Sequence, residues 1–337
     1  MSQLNIILDK LLYSTFSNVL GEVNSRGLQQ FSSLLPSGFS SYYVELRSLN
    51  KKFSDRVDLL CSINHQSPPP SNWLNSTDTQ TLKEHLKSTY NNLSKTQFFT
   101  PFVWLEFDDI VARIPNQISS PGTHFCLESG YPNSLQKKRE LNLYEPYQFA
   151  QSLCIAQLGH RLNSLEKIYS YLPQDAHIIH LSFMLGRAPA TTKLYVCMSR
   201  ADIIEYLKNI KWSGQISAIQ DALQLWQSIE VSEYLFFDIT ICNDEIQDSF
   251  ALVTSPVKYS ANNNNFEFTA EKNTSTKKII NKLYQLEYVS TEHHKSLSHW
   301  IGEEPPHISS WMDFKLVIDN NKPEYFKAYL GIQPKVL

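Results

Sequence analysis

The sequence lacks the features that mark two large classes of protein. Its 337 residues include 30 lysines and arginines against 33 acidic residues, and the net charge of −3 offers no positive field for nucleic acid. No stretch approaches the ~20 consecutive apolar residues that span a bilayer. We therefore expect neither a nucleic-acid partner nor a membrane span.

Cysteine is scarce and never occurs as a CxxC pair. Four of the five cysteines lie in apolar, strand-like runs, which fits small buried hydrophobes in a reducing compartment. Asp9 and Lys10 interrupt the first apolar run, so the N-terminus does not resemble a signal peptide. A cytoplasmic location is expected. The cysteines are Cys61, Cys126, Cys154, Cys197 and Cys242.

The β-α-β rhythm of parallel sheets is also missing, and the predicted strands come in pairs. Short connections within a pair indicate antiparallel hairpins. Residues 1–337 are therefore predicted to form one α+β domain of five α-β-β-α units. Strands are predicted over 41–47, 55–63, 102–108, 124–128, 177–185, 193–199, 234–242, 249–254, 312–319 and 325–330. Helices are predicted over 4–23, 78–90, 146–172, 201–210, 216–229 and 277–286.

Alternation within the predicted strands assigns two contrasting faces. One face is apolar, as in Val57, Leu59 and Cys61, or in Ile179, Leu181 and Phe183. The amphipathic helices would cover it. The other face is polar and aromatic, with these members: Tyr43, Glu45, Arg47, Arg56, Asp58, Trp104, Glu106, Asp108, His124, Glu128, His180, Lys193, Tyr195, Asp238, Lys315, Tyr325, Lys327 and Tyr329.

Two architectures fit this pattern. An open sheet with helices on one side would show its polar face to water. A closed ten-stranded antiparallel barrel, surrounded by helices, would instead enclose that face. Ten strands exceed the ~8 whose interior is filled by their own side chains, so a ligand cavity becomes available. We favour the barrel, in which the enclosed charges must pair or bind a charged ligand.

Five such units around a ten-stranded barrel resemble the ABBA-type aromatic prenyltransferases. In the tryptophan-prenylating branch a strand-1 glutamate accepts the indole proton and a strand-2 arginine holds the diphosphate, and Glu45 and Arg56 stand in those places. Lys193 and Tyr195 match the end of the family's Arg-x-Lys-x-Tyr motif. Tyr325 and Tyr329 reproduce the spacing of its two final tyrosines, and Lys327 lies between them.

Four departures indicate a divergent member. Thr191 replaces the arginine of the Arg-x-Lys-x-Tyr motif. The predicted strand over 124–128 lacks the family's Lys-x-Tyr pair, and the strand over 249–254 lacks its polar residue and tyrosine. The inner face is also unusually acidic.

Transfer of a prenyl group from an allylic diphosphate sets three demands, and the resemblance implies residues for each. Cations and phenols must hold the diphosphate. Aromatic faces must shield the allylic cation, which a cation–π contact stabilises by up to ~2 kcal/mol. A base must accept the acceptor's proton, and Glu45 is the candidate. The candidates for the diphosphate are Arg56, Lys193, Tyr195, Tyr325, Lys327 and Tyr329, and those for the cation are the same tyrosines with Trp104 and Phe236.

Each of these assignments has a structural alternative. Lys193 and Lys327 could pair with neighbouring carboxylates, the tyrosines could fill the barrel, and Glu45 could form a salt bridge to an arginine. No cofactor is required by this reading. Glu106 and Asp108 could nevertheless bind Mg²⁺ that bridges to the diphosphate, or could receive a cationic acceptor on a peptide. His293, His294 and His299 are interpreted as residues of a surface helix.

The predicted function is an enzyme that prenylates an aromatic small molecule or a peptide side chain inside the barrel. A second possibility is a barrel that has lost this chemistry and acts as a binding or accessory protein. A third is a different enzyme that uses the acidic interior for acid–base catalysis.

Overall fold

Ten strands close into one antiparallel barrel. The computed structural model describes residues 17–35, 39–49, 52–64, 102–110, 121–126, 144–229, 233–254, 270–301, 308–319 and 322–334. Each strand pairs with its neighbours in sequence, and the first strand pairs with the last. The strands are β1 (Ser41–Leu49), β2 (Lys52–Asn64), β3 (Phe102–Phe107), β4 (Gly122–Cys126), β5 (His177–Met184), β6 (Thr191–Ser199), β7 (Tyr234–Cys242), β8 (Glu245–Thr254), β9 (Ile308–Asp319) and β10 (Lys322–Pro334).

Seven helices are described, and they flank the strand pairs. They are α1 (Ser17–Leu34), α2 (Tyr144–Leu158), α3 (Asn163–Ser170), α4 (Ile203–Asn209), α5 (Ile216–Ile229), α6 (Ala270–Gln285) and α7 (Thr291–Trp300). The prediction of a surface helix around His293 is confirmed by α7. The helix predicted over 78–90 lies outside the described residues. None of the described helices is long and apolar enough to cross a membrane.

Three helix predictions were wrong in their bounds. The helix predicted over 277–286 begins at Ala270, and each of the other two contains a glycine with a positive φ. The predicted helix over 146–172 is two helices, because Gly159 adopts a left-handed conformation with φ of 78° and ends α2. The first helix extends past residue 23 to Leu34. Gly21 interrupts its helical geometry with φ of 75°, and the Ser25 hydroxyl donates to the Gly21 carbonyl at 2.8 Å.

The outer face of the barrel is the hydrophobic core, as the alternation predicts. Val57, Leu59 and Phe237 are fully buried in two clusters between strands and helices. One position was predicted wrongly. An extra residue in β5 shifts its register between Ile178 and His180, so Ile178 rather than Ile179 joins this core.

The five cysteines are free thiols, and all but the half-buried Cys242 are buried. This confirms their predicted role as small hydrophobic side chains. The prediction of a single domain over 1–337 remains a prediction, although strands from Ser41 to Pro334 contribute to the same barrel.

Candidate active site

Several side chains on the inner face retain accessible surface, in contrast to those on the outer face. Lys193, Tyr195, Phe236 and Tyr329 are half-buried, whereas their outward neighbours are buried. Because these side chains point away from the helices, their exposed surface faces the barrel interior. The lumen therefore has room for water or a ligand beside its own side chains.

At the end of the lumen where β1 and β3 finish, carboxylates alternate with arginines. Arg47 donates from Nε to Glu45 Oε1 at 3.1 Å and from Nη2 to Asp58 Oδ2 at 2.6 Å. Arg56 donates from Nε to Asp58 Oδ1 at 3.1 Å and from Nη2 to Asp108 Oδ1 at 3.2 Å. We call this region, together with Glu106 and Arg187, the ionic end.

The network continues through Arg187, which lies in the hairpin between β5 and β6. Its guanidinium bonds both oxygens of Asp108, at 2.7 and 2.8 Å, and Glu106 Oε1 at 2.7 Å. The other oxygen of Glu106 lies 2.8 Å from His124 Nε2, and His124 Nδ1 lies 2.7 Å from the Ser182 hydroxyl. Hydrogen bonds thus connect the ionic end to the wall formed by β4 and β5.

Glu45 lies at the centre of the lumen and is almost fully buried. It forms an ion pair with Lys327, accepts from Arg47, and is paired with Tyr329 across β1 and β10. Burial opposes its ionisation, but the charges of Lys327 and Arg47 outweigh burial and hold the pKa of Glu45 well below its usual value. Glu45 is therefore ionised at neutral pH.

Three acidic groups lie close enough together to be considered as metal ligands. Oxygens of Glu45, Asp58 and Glu106 all lie within 4.8 Å of one another. Burial and the charge of Glu45 raise the pKa of Asp58 to about 6 despite its arginine partners. Each of the three already has a cationic partner. Glu45 pairs with Lys327 and Arg47, Asp58 with Arg47 and Arg56, and Glu106 with Arg187. Their charges are compensated without a metal ion.

Lys193 differs from the other lumen lysines. Lys315 is ion-paired with Asp238 and Lys327 with Glu45, whereas no ion pair or hydrogen bond of Lys193 is found within the described parts of the chain. It lies across from Ser182 and Thr240 on the neighbouring strands. Burial, followed by the positive charges of Arg187, Lys315 and Lys327, lowers the pKa of Lys193 to about 7.

The opposite end of the lumen, where β1 and β3 begin, is aromatic. The Tyr43 ring contacts Trp104, Trp311 and Tyr329 with centroid distances of 5.0, 5.2 and 6.2 Å. Trp311 Nε1 donates to the Tyr43 hydroxyl at 2.6 Å, and that hydroxyl donates to Asp313 at 2.9 Å. We call this group the aromatic end.

Gly331 allows Trp311 to lie in this position. The two residues are paired across β10 and β9, and a Cβ at position 331 would overlap the indole ring. The missing side chain thus provides the space that the tryptophan fills. Beside this end, the Tyr195 ring stacks on Phe236 at 5.5 Å and contacts His180 at 5.3 Å.

Two solved structures share this architecture at low sequence identity. The prenyltransferase PriB, in a ternary complex with L-tryptophan and dimethylallyl thiolodiphosphate (DMSPP), is 11% identical with a TM-score of 0.51, and the match covers 95% of this chain and 96% of PriB. NotF, in complex with brevianamide F and DMSPP, is 10% identical with a TM-score of 0.50, covering 96% and 92%. The chain has the ABBA prenyltransferase fold. No protein-family model and no curated protein sequence matches it.

The ABBA barrel brings the predicted site residues to one lumen. Glu45, Lys193 and Lys327 lie along its middle, and Arg56, Glu106 and Asp108 belong to the ionic end. Tyr325 lies near the same end, with the Arg47 guanidinium 5.8 Å and the Lys327 ammonium 6.0 Å from its ring centroid. Trp104, Tyr329, Tyr195 and Phe236 line the aromatic part. Their functional roles remain predictions.

Arg187 is one of the described lumen residues that the sequence did not predict, as are Trp311 and Asp313 of the aromatic end. Arg187 follows β5 in a Gly-Arg-Ala-Pro turn, outside the strand alternation, and such a position usually faces solvent. The available signal was the deficit of cations on the acidic inner face, since a buried carboxylate needs a partner. Lys315 and Asp238 were assigned to the inner face, but their pairing across β7 and β9 depends on the shape of the closed barrel.

Proposed function

We propose that this protein transfers an allylic prenyl group from its diphosphate to an aromatic small molecule or a peptide side chain inside the barrel. The ABBA fold and the DMSPP bound in both solved neighbours support this proposal. The single observation that carries it is Lys193. This lumen cation has no ion-pair partner among the described residues, and the positive charges of Arg187, Lys315 and Lys327 act on it. An anionic ligand would be attracted to this group of cations.

The diphosphate is held in this proposal by Lys193, Lys327 and Arg56, with hydroxyls from Tyr195, Tyr325 and Tyr329. Charge-assisted hydrogen bonds to the phosphate oxygens stabilise the negative charge that develops on the leaving group. The bond between the allylic carbon and the bridging oxygen breaks, and its electron pair leaves with the diphosphate. An allylic cation remains in the lumen.

The cation is shielded by aromatic rings and captured by the acceptor. Trp104, Tyr195 and Phe236 line the lumen as aromatic shields in this proposal, and exclusion of water prevents hydrolysis of the cation. A carbon or heteroatom of the acceptor donates an electron pair to the cation. A proton then leaves the positively charged adduct, and Glu45 accepts it. The low pKa of Glu45 is compatible with this step because the adduct is strongly acidic.

We propose that Glu106 and Asp108 orient arginines and do not bind Mg²⁺ or a cationic acceptor. Both oxygens of each carboxylate already have partners. Those of Asp108 accept hydrogen bonds from Arg56 and Arg187, and those of Glu106 contact Arg187 and His124. A metal ion would have to displace these partners. Transfer should therefore be unaffected by EDTA, and its loss with EDTA and recovery with Mg²⁺ would contradict this assignment.

Binding of the donor is tested by thermal unfolding in the presence of allylic diphosphates of five to fifteen carbons. A ligand at 100 times its Kd should stabilise the folded protein by ~2.7 kcal/mol. The same preparation is then incubated with a diphosphate and a panel of indoles, phenols and tyrosine or tryptophan peptides, and products are identified by mass. No stabilisation by any allylic diphosphate would refute the proposal.

A second candidate is an ABBA-like barrel without catalytic activity that binds a small molecule or a peptide. The observation that favours it is the pairing of most lumen cations with the protein's own carboxylates, including Lys327 with Glu45. Such pairing lowers the charge available for a diphosphate. Stabilisation by an aromatic ligand or peptide with no transfer from any diphosphate would support this function.

A further inference from the structure

Arg187 uses only two of the three nitrogens of its guanidinium in bonds to the described residues. Its Nε and Nη2 groups bond Asp108 and Glu106, which hold one edge of the planar group. Nη1 carries two more N–H donors. No acceptor for them is found among the residues that the structure describes, and the side chain is 26% exposed. The guanidinium is thus positioned by two carboxylates and open on its far side.

Lys193 lies on the same side of the lumen as Arg187. It is paired across β5 and β6 with Ser182, whose hydroxyl contacts His124, and His124 and Arg187 share Glu106 as a partner. After burial, the charge of Arg187 is the strongest influence that lowers the pKa of Lys193. Lys315 of β9 and Lys327 of β10 act in the same direction, while Asp238 of β7 opposes them. Two cations held near each other in a partly desolvated lumen repel, and an anion between them removes that repulsion.

We propose that Arg187 and Lys193 form a clamp for the diphosphate, with Nη1 of Arg187 and Nζ of Lys193 as its donors. This inference rests on the proposed function. Thr191 stands where the family resemblance implies an arginine, on the same face of β6 as Lys193. Arg187 supplies from the β5–β6 hairpin the guanidinium that β6 itself lacks.

The competing role for Arg187 is purely structural. Its bonds to Asp108 and Glu106 could serve only to attach the hairpin to β3. The two roles differ in what can replace the residue. A structural attachment needs a guanidinium at position 187, whereas a clamp needs a cation that reaches the diphosphate from either position.

The experiment measures the Kd of inorganic pyrophosphate by calorimetry at fixed ionic strength. Arg187→Ala should weaken binding ~10–100-fold, as expected for a lost hydrogen bond to a charged group. Arg187→Lys keeps the charge but loses the planar fork, and a loss of ~3–10-fold is expected. Arg161→Ala removes an exposed arginine at the surface and should leave Kd within twofold. The double variant Arg187→Ala/Thr191→Arg returns a guanidinium to the site from β6. If Arg187→Ala weakens pyrophosphate binding a hundredfold, the double variant should bind pyrophosphate at least tenfold more tightly than Arg187→Ala.

The outcomes separate the clamp from the proposed function. If the wild-type protein binds neither pyrophosphate nor an allylic diphosphate, both fail. If Lys193→Ala weakens binding but Arg187→Ala stays within twofold of wild type, only the clamp is wrong. If neither Arg187→Lys nor the double variant binds better than Arg187→Ala, Arg187 acts through the hairpin and the clamp is also wrong. If Arg187→Ala does not fold, Arg187→Gln is measured in its place, and a Kd within twofold of wild type overturns the clamp.

Discussion

The two ends of the lumen are stabilised by different kinds of interaction. At the ionic end, Arg47, Arg56 and Arg187 each bond two carboxylates, so every described charge there is compensated by another. At the aromatic end, Tyr43 and Trp311 pack ring against ring, and their polar atoms form a short chain to Asp313. One end is held by directional charge pairs and the other by packing.

This difference indicates two kinds of ligand environment in one barrel. The ionic end and the adjoining lysines suit a charged group, and the aromatic end suits a planar apolar one. Glu45 lies between them, bonded to Arg47 on one side and beside Tyr329, which contacts Tyr43, on the other. A bimolecular reaction between a charged donor and an aromatic acceptor needs this arrangement, in which each partner is bound by its own chemistry.

The largest expected effect comes from the residue between the two ends. Glu45→Gln should reduce prenyl transfer by ~10²–10⁴-fold, because it removes the proposed proton acceptor and keeps the shape of the side chain. Pyrophosphate affinity should rise or stay unchanged, since Lys327 loses its carboxylate partner. Single-turnover rates and calorimetry separate the two quantities. Asp244→Asn, which changes a carboxylate outside the lumen, is the matched control. A transfer rate for Glu45→Gln within threefold of wild type would contradict the role.

Lys193→Met should weaken pyrophosphate binding ~10–100-fold and at the same time stabilise the protein by ~1–2 kcal/mol at pH 7. The folded-state pKa of about 7 lies below the usual 10.5, so the unfolded chain binds the proton more tightly. Ionised Lys193 therefore destabilises the fold below about pH 7, and this cost disappears as the pH rises towards 10.5. The gain from Lys193→Met in urea unfolding should shrink accordingly at high pH.

Lys315→Met is the control for that variant. It leaves Asp238 buried without its partner, so we expect destabilisation instead of a gain. Equal effects of the two lysine substitutions on stability would show that Lys193 is paired in solution. The contrast between a paired and an unpaired lysine would then be lost.

The aromatic end is tested by Gly331→Ala. The added methyl group displaces the Trp311 ring and should cost ~1–3 kcal/mol of stability through overpacking. Pyrophosphate affinity should not change, whereas the affinity for an aromatic acceptor should fall. Urea unfolding and tryptophan fluorescence follow the change. Trp311→Leu, combined with Gly331→Ala, frees the space and should recover part of the lost stability. A Gly331→Ala variant as stable as wild type would show that the Trp311 ring is not confined.

The smallest effect is expected outside both ends. Asp244 in the β7–β8 turn accepts from the Ser164 amide at the start of α3, at 2.7 Å. Asp244→Ala should cost ~1 kcal/mol, as for the loss of a helix cap. Neither pyrophosphate nor acceptor affinity should change. A change in either affinity would mean that the contact between the β7–β8 turn and α3 affects ligand binding in the lumen. The two ends could then no longer be compared independently of the surrounding helices.

The features that follow from strand periodicity were predictable from the sequence. Leu59 and Phe237 face the core, and Glu45 and Lys193 face the lumen, because alternate residues point to opposite faces. The extra residue near Ile179 was not predictable, since a bulge changes the pairing but not the local composition. The Glu45–Lys327 pair required the closure of β1 on β10, which no local pattern specifies.

The bond between Asp244 and Ser164 also bears on how such a repeated structure can evolve. It joins the hairpin of one α-β-β-α unit to the helix that opens the preceding unit. A unit whose helix is capped by a residue of the next unit is not structurally independent. Duplication, deletion or exchange of a single unit would leave the α3 amide without its acceptor, so the units have become individually adapted to their places around the ring.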